Sequence, residues 1–203
     1  MVEVVVTPTP GPEPGLAPAA ASKAPRGSKQ AAGEVVFATT VVGGFSGGLN
    51  SQGPMRIGHN FVCEDLFMPS KTEAFEGLIA TDWSIDDDML GATVSIQQGA
   101  MHHGGYGELT AEDVAFSYND ANPGTNPESI TDGSGDYMGF LGTNKQEALD
   151  KYTVKLNWAS FGSNWALFYF GQDGLHACIQ SKKAFDENGG YADTTWSFEH
   201  MIG

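Results

Sequence analysis

Proline sets the first boundary in this chain. Six of its ten prolines fall within residues 1–33, and that stretch contains no Phe, Tyr or Trp. The run Thr7-Pro8-Thr9-Pro10-Gly11-Pro12-Glu13-Pro14 lacks the backbone donors that a helix or a sheet needs and favours extended polyproline conformations. The Ala-, Ser-, Lys- and Gly-rich residues that follow, up to Gly33, offer too few large apolar side chains to build a core. Residues 1–33 are therefore expected to be a disordered Pro-rich segment, with folding beginning at Glu34. Such a segment is either a chance extension or a tether that holds a domain off a surface. Residues 2–6 are too short and lack the basic flank for a secretory signal, so the chain either is cytosolic or begins downstream of an export signal.

Charge narrows the partners. Residues 34–203 carry 7 Lys and Arg against 23 Asp and Glu, a net charge near −16. A surface of that sign excludes nucleic acid as a partner, because phosphate binding needs clustered Lys and Arg. With 40% hydrophobic and 11% aromatic residues the chain can bury a core. No apolar run approaches the roughly 20 residues of a membrane span.

Periodicity places the elements. Residues 35–42 are apolar and largely β-branched and end at Gly43-Gly44, which reads as a buried strand entering a Gly-, Ser- and Asn-rich loop over 45–54. Ala92, Val94 and Ile96 alternate with Thr93, Ser95 and Gln97, a half-buried strand. Thr110 is expected to cap a helix whose first turn holds Glu112 and Asp113, with Ala111, Val114, Ala115 and Tyr118 on its apolar face and Asn122-Pro123-Gly124 as its stop. Tyr152, Val154, Leu156 and Trp158 alternate with polar residues as a further strand, and Ser181 opens a short helix ending at Asn188-Gly189-Gly190. Strands and helices intersperse without a regular βαβ rhythm, so the fold class is α/β, as a mixed α+β lobe.

Chemistry is sparse. His102 and His103, with Glu108 and Asp113 downstream, form the one grouping that resembles metal ligands, yet neighbours on a strand point to opposite faces. Asp86-Asp87-Asp88 lacks the spacing of a calcium loop and reads as a solvated turn between strands. Signatures of a serine nucleophile, a phosphate loop or a zinc protease are absent from the sequence. Cys63 and Cys178 could pair in an oxidising compartment, and nothing beside them marks a reactive thiolate. Thirteen of the 22 aromatic residues lie between Tyr137 and Phe198. Most are expected in the core, Trp158 first, and some could line a cleft for peptides or sugars.

Several segments, taken in order, carry a resemblance. They are Gly77-Leu78-Ile79-Ala80-Thr81-Asp82-Trp83, the Asp86-Asp87-Asp88 turn, the strand over 92–97, His103, and Leu109-Thr110-Ala111-Glu112-Asp113-Val114. Then come Leu149-Asp150-Lys151-Tyr152-Thr153-Val154, Gln180-Ser181-Lys182-Lys183-Ala184-Phe185 and Ile202-Gly203. The set resembles the family 5 extracellular solute-binding proteins, the oligopeptide, dipeptide and nickel receptors of ABC importers. Three details depart from the family pattern. The element at 77–83 is one residue longer, His102 stands where Phe is common, and Gly104 stands in place of Asp.

The resemblance implies the N-terminal part of a type II periplasmic-binding-protein fold, with residues 34–57 as a first lobe I segment, 58–185 as an accessory lobe and 186–203 as the return to lobe I. It implies a binding protein and no enzyme, with no cofactor and no resident metal. Such a protein captures a peptide or similar small solute and hands it to ABC permease subunits. It works at the periplasmic or extracellular face of the cytoplasmic membrane, held there by a lipid anchor upstream of this chain. The loop after the first strand then falls at the cleft, and Gly43, Gly44, Phe45 and Asn50 are the expected solute contacts. Two other classes stay open on the residues alone: a non-enzymatic adhesive module on a stalk, and a metal-dependent hydrolase using His102 and His103 with an acid.

Overall fold

The computed structural model describes residues 2–4, 37–39, 64–128, 134–171, 179–194, 196, 200 and 202–203. They fall in two units, Met1–Gly43 and Gly44–Gly203. In the first, β1 (Val2–Val4) pairs antiparallel with β2 (Phe37–Thr39), Val2 opposite Thr39 and Val4 opposite Phe37. β2 sits inside the run expected as a strand. β1 lies within the segment expected as a tether, where its β-branched valines favour an extended, paired backbone. The Pro-rich run over 7–14 and Cys63 and Cys178 lie outside the described residues.

The second unit is organised by a four-stranded antiparallel sheet in the order β5 (Ala80–Ile85), β6 (Gly91–Ile96), β10 (Thr153–Asn157), β9 (Glu147–Asp150). Register follows the alternation in the sequence. Val94 stands between Trp83 and Val154, and Ala92 between Ile85 and Leu156, so one face of the two central strands is wholly apolar. Ala92, Val94, Val154 and Leu156 are fully buried there. Two short hairpins flank the sheet: β3 (Phe67–Met68) with β4 (Glu76–Gly77), and β7 (Met101–His102) with β8 (Gly107–Glu108).

Helix α1 (Ala111–Asp120) packs across β9 and β10 and buries Ala111, Val114, Ala115 and Tyr118, the face expected from its spacing. It stops at Ala121, just before Asn122-Pro123-Gly124. Two helices were not legible from periodicity. The first is α2 (Ser134–Leu141), which contains Gly135 and Gly139 and so has low intrinsic propensity. It forms because Tyr137, Phe140 and Leu141 are drawn into the core. The second, α3 (Trp165–Tyr169), is a single aromatic turn that places Trp165 against Phe67 and Trp158, with ring centroids 5.3 and 5.2 Å apart. Trp158, one residue past the end of β10, is buried, as the alternation predicted. Of the described aromatic residues in that stretch, Tyr137, Phe140, Trp158, Trp165, Phe170 and Phe185 are buried, and Phe161 and Phe168 are exposed. Helix α4 (Lys182–Glu187) begins at Ser181, whose hydroxyl accepts from the Ala184 N–H at 3.2 Å.

The triple-aspartate turn joins β5 to β6 and is only partly solvated. Asp87 and Asp88 are exposed, but Asp86 is half-buried and ion-paired with Lys155 on β10.

Candidate functional site

Asp113, at the third position of α1, is the node on which the surrounding loops converge. Its Oδ2 accepts from the backbone N–H and the hydroxyl of Thr110, both at 2.8 Å, and closes the helix's first turn. Its Oδ1 accepts from the Lys182 N–H at 2.9 Å, which ties the start of α4 to the start of α1. One turn on, the Ser117 hydroxyl donates to the Asp113 carbonyl at 2.7 Å and accepts from the Gln180 N–H at 2.9 Å. The residues 180–182 are thus stitched along α1. Burial opposes charge on the Asp113 carboxyl, but the neighbouring His102, the Thr110 hydroxyl and the two N–H donors outweigh it and hold the group below its ordinary value.

His102 is buried with its Nε2 3.6 Å from Asp113 Oδ2. His103 faces the other way, exposed, and both its backbone N–H and its ring Nδ1 reach the Gly203 carbonyl, at 3.3 and 2.8 Å. The Ile202 carbonyl accepts from the Ser181 N–H at 2.9 Å. The segment 202–203 is therefore held between the two loops that Asp113 organises.

The histidines do not converge on one ion, and neither acid is spare. Glu108 accepts from Lys151 Nζ at 2.7 Å, the Gly99 N–H at 2.6 Å and the Tyr152 hydroxyl at 3.1 Å, and the lysine holds its carboxyl below the ordinary value. Among the described residues no group of three or more His, Cys, Asp or Glu side chains could hold a metal ion. The hydrolase reading thus loses its geometric basis in the His102 and His103 pair.

A groove of about 440 Å3 runs between α1 and α4. Glu112, Ala115, Phe116, Asp120, Asp186 and Tyr191 are among the residues that line it. Asp120 is buried, and its Oδ1 accepts from the Tyr191 hydroxyl and from Asn126 Nδ2, the latter at 2.7 Å. Burial, and then the carboxylate itself, push the Tyr191 phenol far above its ordinary value, so it stays a donor. Sequence periodicity could place Glu112, Phe116 and Asp120 on one stripe of α1, but not the approach of Tyr191, 71 residues on. Gly43, Gly44, Phe45 and Asn50 lie outside the described residues.

The second unit is a mixed α+β body with the fold of part of a type II periplasmic binding protein. Solved structures with this fold are solute-binding receptors of the kind that the sequence motifs resemble. A solute-binding protein from A. tumefaciens R10, MoaA in complex with mannopinic acid, aligns over 66% of this chain and 26% of its own at 27% identity and TM-score 0.53. The periplasmic binding protein DppA from Helicobacter pylori, in complex with the peptide STSA, aligns over 78% of this chain and 34% of its own at 22% identity and TM-score 0.57. The oligopeptide-binding protein AppA from Bacillus subtilis, in complex with a nonapeptide, aligns over 73% and 27% at 21% identity and TM-score 0.56. The chain thus spans about a quarter to a third of the length of these proteins. No family model matches the chain, and no curated protein does.

Proposed function

We propose that this chain is part of the substrate-binding component of an ABC importer and captures a peptide or similar small solute outside the cytoplasmic membrane. The observation that carries the reading is the agreement of the motifs with the fold. The ordered motifs from Gly77 to Gly203 resemble the family 5 receptors, and the fold built from those same residues resembles receptors whose solved structures hold mannopinic acid or peptides.

On this reading the described residues between 64 and 185 belong to the accessory lobe, and Gly43, Gly44, Phe45 and Asn50 contact the solute. The solute is gripped by hinge closure and released to permease subunits, with no bond made or broken. Residues 1–33 act as a spacer between the domain and a lipid anchor on the periplasmic or extracellular face. Residues 34–57 and 186–203 belong to lobe I, and 58–185 to the accessory lobe.

The test is a melting curve of the gene product at its natural length against defined peptide pools. A receptor gains stability with the logarithm of ligand concentration above its Kd, so one pool should raise Tm progressively and Phe45→Ala should abolish the rise. A flat response to peptides, amino acids and opine-like sugar acids would overturn the reading.

A further inference from the structure

The turn that ends α4 contains the only Asn-Gly pair in the sequence, Asn188-Gly189, and the fold dictates both residues. Asn188 caps the helix. Its Nδ2 donates to the Ala184 carbonyl at 2.8 Å and to the Tyr106 hydroxyl at 3.2 Å, which latches α4 to the turn between β7 and β8. Gly189 sits at φ of 107°, and a Cβ there would lie 2.6 Å from the Asp193 carbonyl oxygen, so no side chain fits. The result is an exposed backbone amide directly beside a side-chain amide. The Asn188 and Gly190 N–H groups both donate to the Phe185 carbonyl, and the Gly189 carbonyl accepts from Ala192 and Asp193. Among the described residues the Gly189 N–H has no acceptor.

We propose that Asn188 is a site of spontaneous covalent modification, at which the asparagine converts to aspartate and isoaspartate and α4 comes unlatched. Water is the one co-reactant. The Gly189 nitrogen gives its proton to hydroxide, and its electron pair attacks Asn188 Cγ to close a five-membered succinimide. The Cγ–Nδ2 bond breaks, and Nδ2 takes a proton from water, which regenerates hydroxide, and leaves as ammonia. A second water opens the ring at either carbonyl. One opening gives aspartate, and the other gives isoaspartate, which lengthens the main chain by a methylene. Glycine at 189 has no side chain to obstruct the attack. Asn188 must turn from its ψ of 34° and release Ala184 and Tyr106 to react, so those two bonds set the rate.

Either product carries a carboxylate where Asn188 donated N–H groups. It no longer bonds the Ala184 carbonyl. It also follows Asp186 and Glu187 at a helix end with no basic residue in its last turn, where the dipole disfavours negative charge. Helix α4 therefore frays from its C-terminus, while Ser181 and Asp113 still hold its start. None of this depends on the cleft of the proposed receptor.

The test is peptide mass mapping of the full chain after incubation in mildly alkaline buffer, against a sample digested without incubation. Trypsin releases residues 184–203 as one peptide, in which Asn188 is the only amide side chain. That peptide should gain one mass unit with time and split into two isomers, while Asn144, exposed and followed by Lys145, keeps its amide. Tyr106→Phe, folded by circular dichroism, should speed the conversion about fivefold, the equivalent of one neutral hydrogen bond. Asn188→Asp should speed hydrogen exchange at the amides of Phe185 and Gly190 and leave those of β6 and β10 unchanged. The proposal falls if the peptide keeps its mass over a time in which a synthetic peptide of residues 183–192 converts completely. It falls equally if Asn144 converts as fast, if Tyr106→Phe reacts no faster than the parent, or if Asn188→Asp exchanges like the parent.

Discussion

The indole Nε1 of Trp158 donates to the carbonyl oxygen of Met89 at 2.7 Å, and the Trp158 N–H donates to the Leu90 carbonyl at 3.1 Å. A buried side chain one residue past β10 thereby fixes the acidic turn between β5 and β6. Trp158→Phe keeps an aromatic ring in the core but deletes the donor. It should cost about 1–2 kcal/mol, against about 3–5 kcal/mol for Trp158→Ala, which also opens a cavity. Urea denaturation of the two variants measures the difference. A Trp158→Phe variant as stable as the parent would show that the bond to Met89 carries nothing.

Met89 itself has φ of 60°, the left-handed region that side-chain-bearing residues avoid. Met89→Gly should be neutral to stabilising by up to about 0.5 kcal/mol, since relief of the backbone strain offsets the entropy of a new glycine. Met89→Val should destabilise by about 1–2 kcal/mol, because β-branching worsens the same conformation. Their thermal denaturation midpoints, read side by side, decide the sign.

The Asp113 carboxyl titrates below its ordinary value of 3.8 in the folded state. A depressed pKa means that its stabilisation is complete above the unfolded value and is lost as pH falls through the folded one. Asp113→Asn should therefore flatten the acid limb of a stability profile taken from about pH 7 to about pH 3. At neutral pH it should cost about 1–3 kcal/mol through weakened bonds to Thr110 and Lys182. A variant that loses stability as steeply in acid as the parent would contradict this role.

Those two regions also show what the sequence could reveal. The Thr110 cap, the buried stripe of α1 and the alternation from Val154 to Trp158 were all legible, because each follows from a local period of 3.6 or 2. The triple-aspartate turn was legible as a turn, but the pairing of Asp86 with Lys155 was not, since it joins residues 69 apart. Helix α2 was hidden by its glycines, and the Asp120–Tyr191 bond by the distance between them along the chain. Long-range polar contacts leave no periodic trace. The expected cleft residues from Gly43 to Asn50 rest on the motif resemblance and the loop composition alone.

Gly77, which opens the motif over 77–83, has a physical reason to be glycine. A Cβ there would lie 2.0 Å from the Ala80 carbonyl oxygen, a backbone atom that cannot move without breaking the turn from β4 into β5. Gly77→Ala should cost about 2–4 kcal/mol, a size reserved for forced backbone shifts and overpacking. Gly139→Ala in α2 meets open space and should stabilise by about 0.5–1 kcal/mol. Chemical denaturation of the pair checks both signs.

As the proposed receptor, the protein would hold its solute in a cleft bordered by the loop after residue 42. Native mass spectrometry of the gene product, purified at its natural length without denaturation, addresses it most directly. The expected result is a non-covalent small solute on the wild-type protein, released on denaturation and absent from Phe45→Ala and Asn50→Ala. A wild-type protein that carries no solute and takes up none from a peptide library, or variants that retain the solute unchanged, would contradict it.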